Sequence, residues 1–191
     1  IVAFIPTAIL GVLFYKVVKN YLQESMPIIS LALFLGGVLM IVFERWYKEK
    51  KEIKADLPVE AELEAKDISY PKCAIIGVFQ ALAMVPGVSR SAATVLGGLA
   101  LGVSRVAIVE FSFLLAVPTM LAASAMDLYK TAFNFSGREV MMLAVGFITS
   151  FIVAWFSVKF LLNFVKKNSF ALFGWYRAFI GVILFLSLYV F

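Results

Sequence analysis

The sequence predicts an all-α protein, a polytopic bundle of membrane helices that includes one re-entrant helical hairpin. Three observations carry this prediction. The 191 residues are 63% hydrophobic and 15% charged, against about 45–50% and about 25% in ordinary soluble domains, and their mean hydropathy is +0.98. The charges fall between long uncharged runs instead of being spread through them. One of those runs is broken near its middle by Pro86-Gly87 and then carries a lone arginine, Arg90. The length suits a single membrane domain over residues 1–191.

An uncharged run needs about 20 residues to cross a hydrocarbon core of about 30 Å. Residues 1–15 and 25–43 predict two spans within residues 1–43. Residues 44–72 are the one long hydrophilic stretch, with interleaved Lys and Glu. They predict a solvated loop or a short amphipathic helix with no catalytic role. Residues 73–102 are apolar apart from Arg90, yet each half is only about a dozen residues, a length more typical of re-entrant than of spanning segments. A hairpin that dips into the membrane and returns is the favoured reading; one Pro-kinked span is the alternative. Residues 105–191 supply three further spans, at 106–126, 140–158 and 171–190, the last with Arg177 as its only charge. The chain opens at Ile1 inside a span already in progress, so the sequence is expected to be an N-terminally truncated fragment.

A re-entrant hairpin puts residues 44–72, the turn at Arg105 and the turn at Lys166-Lys167 on one face. That face holds most of the Lys and Arg and is expected to be cytoplasmic, with the 127–138 loop and the C-terminus opposite. The net charge of +5 is therefore no nucleic-acid signal: the basic residues flank apolar runs, where they set orientation and meet anionic lipid. The single Cys73 excludes an internal disulfide, and the absence of histidine excludes His-based triads and His-ligated zinc. Gly36-Gly37 and Gly97-Gly98 allow close helix contact, which leaves a homodimer open.

The chemistry concentrates at Pro86-Gly87-Val88-Ser89-Arg90-Ser91. Proline ends the incoming helix and glycine permits a tight turn. The helix that resumes leaves its first N–H groups without intrahelical partners, which with the dipole makes an anion site. Ser89 or Ser91 can cap it, Thr94 lies one turn on, and Arg90 offers a planar fork suited to phosphate oxygens. An arginine deep in a bilayer costs roughly 2.5–3.5 kcal/mol on insertion scales, so a cavity or a partner is expected. The predicted ligand is a phosphate or diphosphate.

Three stretches closely resemble the undecaprenyl-diphosphate phosphatase family, the bacitracin-resistance proteins. They are Pro86 to Thr94, Gly97 to Arg105 (Gly-Gly-Leu-Ala-Leu-Gly-Val-Ser-Arg) and Glu110 to Pro118 (Glu-Phe-Ser-Phe-Leu-Leu-Ala-Val-Pro). Phe79 to Ala83, Val145 to Thr149 and Tyr176-Arg177 add weaker resemblance. The resemblance implies two inverted-topology repeats, each with a re-entrant hairpin, and hydrolysis of undecaprenyl diphosphate to the monophosphate carrier and inorganic phosphate. It implies a polyprenyl diphosphate lipid as partner, a bacterial inner membrane as location, and a divalent cation, magnesium or calcium, as cofactor.

Carried over by residue, Arg90 binds the diphosphate while Ser89, Ser91 and Thr94 hydrogen-bond its oxygens. Gly87 belongs to the substrate-binding turn, and Gln80 is a polar wall of the site. Two departures stand out. Ala92 replaces the usual glycine after Ser-Arg-Ser, where its methyl crowds a close backbone approach to phosphate. The family's Glu-rich motif, Ser-rich turn and histidine have no counterpart here, so the metal ligands are unassigned and are expected to lie in a missing N-terminal part. Glu110 is as suited to pairing with Arg105 or capping its helix as to holding a metal, and Asp127 begins a loop. Without the missing half this fragment is expected to be inactive by itself. A lipid-phosphate or small-anion transporter is the rival reading, because broken helices with anion-binding N-termini also build carriers.

Overall fold

The computed structural model describes residues 1–22, 25–55, 68–130 and 135–190, and among them every regular element is helical. Seven α-helices follow in order: α1 (Phe4–Val17), α2 (Met26–Ala55), α3 (Tyr70–Ala81), α4 (Arg90–Ala100), α5 (Arg105–Lys130), α6 (Gly137–Lys167) and α7 (Ala171–Val190). Four of them, α2, α5, α6 and α7, contain windows long and apolar enough to cross a membrane. The chain is a multi-pass membrane protein. At 14 residues α1 falls short of that length and continues into a wider helical turn over Val18–Leu22.

Three boundaries differ from expectation. The hydrophilic stretch does not begin as a solvated loop at Glu44: α2 carries on to Ala55. Good helix formers such as Glu and Lys let a span continue past its apolar part, and Glu44 itself is buried. Residues 56–67, the rest of the expected loop, lie outside the described residues. Asp127 does not open a loop, because α5 extends to Lys130; residues 131–134 are also outside the described set. The turn placed at Lys166-Lys167 falls just after α6, from Asn168. At its other end α6 starts on a reciprocal cap, with the Ser136 hydroxyl accepting from the Glu139 N–H and the Glu139 carboxylate accepting from the Ser136 N–H.

The segment 73–102 folds as two short helices joined by a tight turn. Its legs, 12 and 11 residues long, run antiparallel. Lys72 Nζ donates to the Leu101 carbonyl at their base, Phe79 packs on Gly97 midway, and Thr94 meets Gln80 near the tip. The base closes at Gly102 (φ 82°), where the Val103 N–H returns to the Gly98 carbonyl. The tip lies against Ile29 and Ala32 of α2. Ala32 is twelve residues from Glu44, or about 18 Å along a helix rising about 1.5 Å per residue. The tip thus lies about one turn from the start of α2 at Met26, and from there the second leg returns alongside the first.

Small residues decide the tightest packing. The antiparallel α2 and α7 meet at Gly37, whose added Cβ would stand 2.5 Å from the Gly174 carbonyl, and at Gly181, which faces Ser30 and Phe34. Gly98 is filled by the Ile108 side chain of α5. Both glycine pairs noted in the sequence are thus used within the chain. Buried Ile76, Val95, Leu99, Val103 and Ile108 form the core around the hairpin. By contrast, no residue in the apolar window of α6 is buried.

Candidate functional site: the amino end of the hairpin's second helix

The tip is a type II turn. The Val88 N–H donates to the Val85 carbonyl at 3.0 Å, with Pro86 and Gly87 in the two central positions and Gly87 at φ 92°. Extended Ser89 then caps α4, its hydroxyl accepting from the Ala92 N–H at 3.3 Å. The Ser89 carbonyl takes the Ala93 N–H. The N–H groups of Arg90 and Ser91 are left for a ligand, at the positive end of the dipole. The Ser89 and Ser91 hydroxyls lie 3.0 Å apart beside them.

A cavity of about 260 Å³ opens next to this helix end. Ser89, Ser91, Ser112, Tyr176 and Arg177 contribute polar side chains to its lining. Val95 and Leu96 of α4, Val109 and Phe113 of α5, Leu161 and Val165 of α6, and Phe173 of α7 make the remaining wall largely hydrocarbon. The volume is near the small end of ligand pockets, about 300–1,000 Å³. It suits a head group and the start of an attached chain.

The sequence-predicted residues divide into two groups. Ser89 and Ser91 line the cavity. Arg90 leans the other way, towards α5, where Nη1 donates to Thr119 Oγ1 at 2.8 Å. Thr119 in turn donates to the Leu115 and Ala116 carbonyls, beside the helix-internal Pro118. Thr94 is fully buried, its hydroxyl within reach of the Arg90 carbonyl at 2.9 Å and of Gln80 Oε1 at 3.4 Å. Gln80 is buried as well, with Nε2 unpaired among the described residues. These two side chains lock the legs together and do not wall the cavity. Gly87 holds the turn, and its carbonyl accepts from Arg177 Nη2 at 2.6 Å.

Arg177, which the sequence marked as a lone charge and as part of a weaker family resemblance but not as a site residue, also lines the cavity. Its signal was a charge alone in an otherwise uncharged final span, but nothing local named its partner. Arg105, meanwhile, pairs with Glu44 and not with Glu110, which is exposed.

The sequence model of the bacitracin resistance protein BacA family matches residues 1–183. This chain belongs to that family. Undecaprenyl-diphosphatase of Enterococcus faecalis is 44% identical over 97% of this chain and 64% of that protein. That of Aquifex aeolicus is 44% identical over 96% of this chain and 68% of its own length, and that of Methanococcus aeolicus 40% identical over 96% and 68%. The chain spans about two thirds of the length of these relatives.

Within this BacA-family chain, the Ala92 methyl lies on the cavity wall next to the α4 N-terminus. It occupies space a phosphate would approach. No three His, Cys, Asp or Glu side chains come together among the described residues. The described part of the site presents two serine hydroxyls and free helix N–H groups to the cavity.

Proposed function

We propose that this protein is an undecaprenyl-diphosphate phosphatase. The observation that carries the reading is the cavity itself, which joins an open helix N-terminus flanked by two serine hydroxyls to a hydrocarbon wall. Such a shape takes a phosphorylated lipid head group and the first carbons of its tail, leaving the rest of the chain in the bilayer. The names of the relatives supply the particular lipid.

In the overall reaction one water is consumed and the bridging P–O bond is broken, releasing inorganic phosphate and leaving the lipid monophosphate. Ser89, Ser91 and the free N–H groups of α4 hold the phosphoryl oxygens and favour the charge that builds on them. Arg90 joins them by exchanging Thr119 for a phosphate oxygen, a swap of one hydrogen bond for a charge-assisted one. A divalent cation, magnesium or calcium, would add charge neutralisation; no three His, Cys, Asp or Glu side chains that could hold it come together among the described residues. Recycling of the carrier for cell-wall (peptidoglycan) synthesis, a role in bacitracin resistance and a place in the cell's inner membrane belong to this reading.

The test is phosphate release from undecaprenyl diphosphate in detergent by the full-length gene product. Arg90→Ala should lower kcat/KM by about 10²–10³-fold, the usual cost of losing one transition-state donor, without loss of fold. A folded Arg90→Ala protein with wild-type turnover would refute the assignment; lipid binding without phosphate release would replace the enzyme by a carrier. Ala92→Gly should lower KM by opening the approach to α4, while its unfolding temperature falls with a loss of roughly 0.5–1 kcal/mol of helix stability. An unchanged KM would show that the methyl does not meet the substrate.

A further inference from the structure

Arg177 is the only charged side chain lining the cavity among the described residues. No carboxylate pairs with it among those residues. Its Nη2 is held by the Gly87 carbonyl, its Nη1 has only the Met40 sulfur at 3.8 Å, and its buried Nε has no partner. A guanidinium carries five N–H donors and a charge that cannot be removed. One carbonyl oxygen satisfies a single donor and none of the charge. Cations held away from water are costly when unpaired, and this half-buried one lines the same cavity as Ser89 and Ser91 at the start of α4.

Two glycines make the placement possible. A Cβ on Gly36 would stand 2.6 Å from Nη2, so α2 is notched where the guanidinium passes. Gly87 presents the carbonyl that aims it.

We infer that Arg177 is a second anion-binding residue, which receives phosphate oxygens on the α7 side of the α4 N-terminus while Arg90 serves the α5 side. Two flanking arginines suit an anion with two phosphoryl groups. That the anion is a lipid diphosphate rests on the phosphatase reading; that it is a phosphate-like anion rests on the cavity alone.

The experiment uses the full-length protein in detergent and three probes: a non-hydrolysable prenyl methylenediphosphonate, inorganic diphosphate and inorganic phosphate. Dissociation constants, KM, kcat and unfolding temperature are measured for wild type, Arg177→Met, Arg177→Lys and Gly36→Ala. Arg177→Met should weaken diphosphonate binding by about 10- to 100-fold, the range for losing charge-assisted hydrogen bonds. Arg177→Lys should recover only part of this, because an ammonium cannot hold the Gly87 carbonyl and fork two phosphate oxygens together. Gly36→Ala should weaken binding with Arg177 still present. If instead the variants only melt earlier, and their folded forms bind diphosphonate like wild type, Arg177 is structural and the inference is overturned. Should Arg177→Met not fold, the Lys and Gly36 variants decide between the same two outcomes. If wild type ignores the prenyl probe but binds inorganic diphosphate or phosphate through Arg177, the phosphatase reading falls and the anion site stands.

Discussion

Gly87→Ala is expected to cost roughly 2–5 kcal/mol of folding stability, and Gly102→Ala, by comparison, only about 1 kcal/mol. Both glycines sit in the left-handed region, at φ 92° and φ 82°, so both substitutions carry the same backbone strain. They differ in surroundings. An added Cβ at Gly102 meets nothing within 4 Å, whereas at Gly87 it would stand 2.5 Å from the Ile29 carbonyl and 2.9 Å from the Ala32 Cβ. Backbone on α2 cannot retreat as a flexible side chain would, so the turn must move. Its carbonyl then leaves Arg177, whose guanidinium loses its one oxygen partner among the described residues. Thermal or denaturant unfolding of the two variants in detergent measures the difference. Equal losses would mean that the tip is not pressed against α2.

Glu44→Ala should have an effect of similar size from a different cause. The Glu44 side chain is 3% exposed and that of Arg105 22%, and the Arg105 guanidinium also lies over the rings of Tyr47 and Phe170, at 5.2 and 5.4 Å. Removing the carboxylate strands a cation in a largely apolar place, for which the loss is about 3–5 kcal/mol. Replacing both partners by methionine should return the stability to near the wild-type value, because the desolvation cost of two ions disappears together with their attraction. Comparing the unfolding free energies of the two single variants and the double one makes the test. A Glu44→Ala loss below about 1 kcal/mol would place the pair in the class of exposed ion pairs.

The hairpin was legible because its causes are local. Pro86-Gly87 dictates a type II turn, Ser89 is a natural cap, and two short apolar legs leave only one way back. The extents of α2 and α5 were misjudged for a related reason: hydropathy marks where a chain leaves the apolar layer, not where a helix stops. Glu44 was misread as solvated because its partner lies 61 residues away. The direction of Arg90 depends on whether Thr119 of α5 comes within reach, and no spacing within the Pro-Gly-Val-Ser-Arg-Ser motif encodes that. Thr94 has a hydroxyl that suits both phosphate binding and leg-to-leg locking. Only the packing of Gln80 against it separates the two. Arg177 was visible as an anomaly, yet its role depends on a notch at Gly36 and a carbonyl at Gly87, each supplied by another helix.

The bond between Arg177 and Gly87 spans 90 residues of chain. A ribosome adds about 5–20 residues per second, so the turn exists for about 5–20 seconds before the arginine that fastens it has been synthesised. During that interval the hairpin must keep its shape with local means only: the turn, the Ser89 cap and the Lys72 tie at its base. The contact is therefore completed only once α7 has been made, and a nascent chain that has not yet produced α7 carries the turn without its fastening.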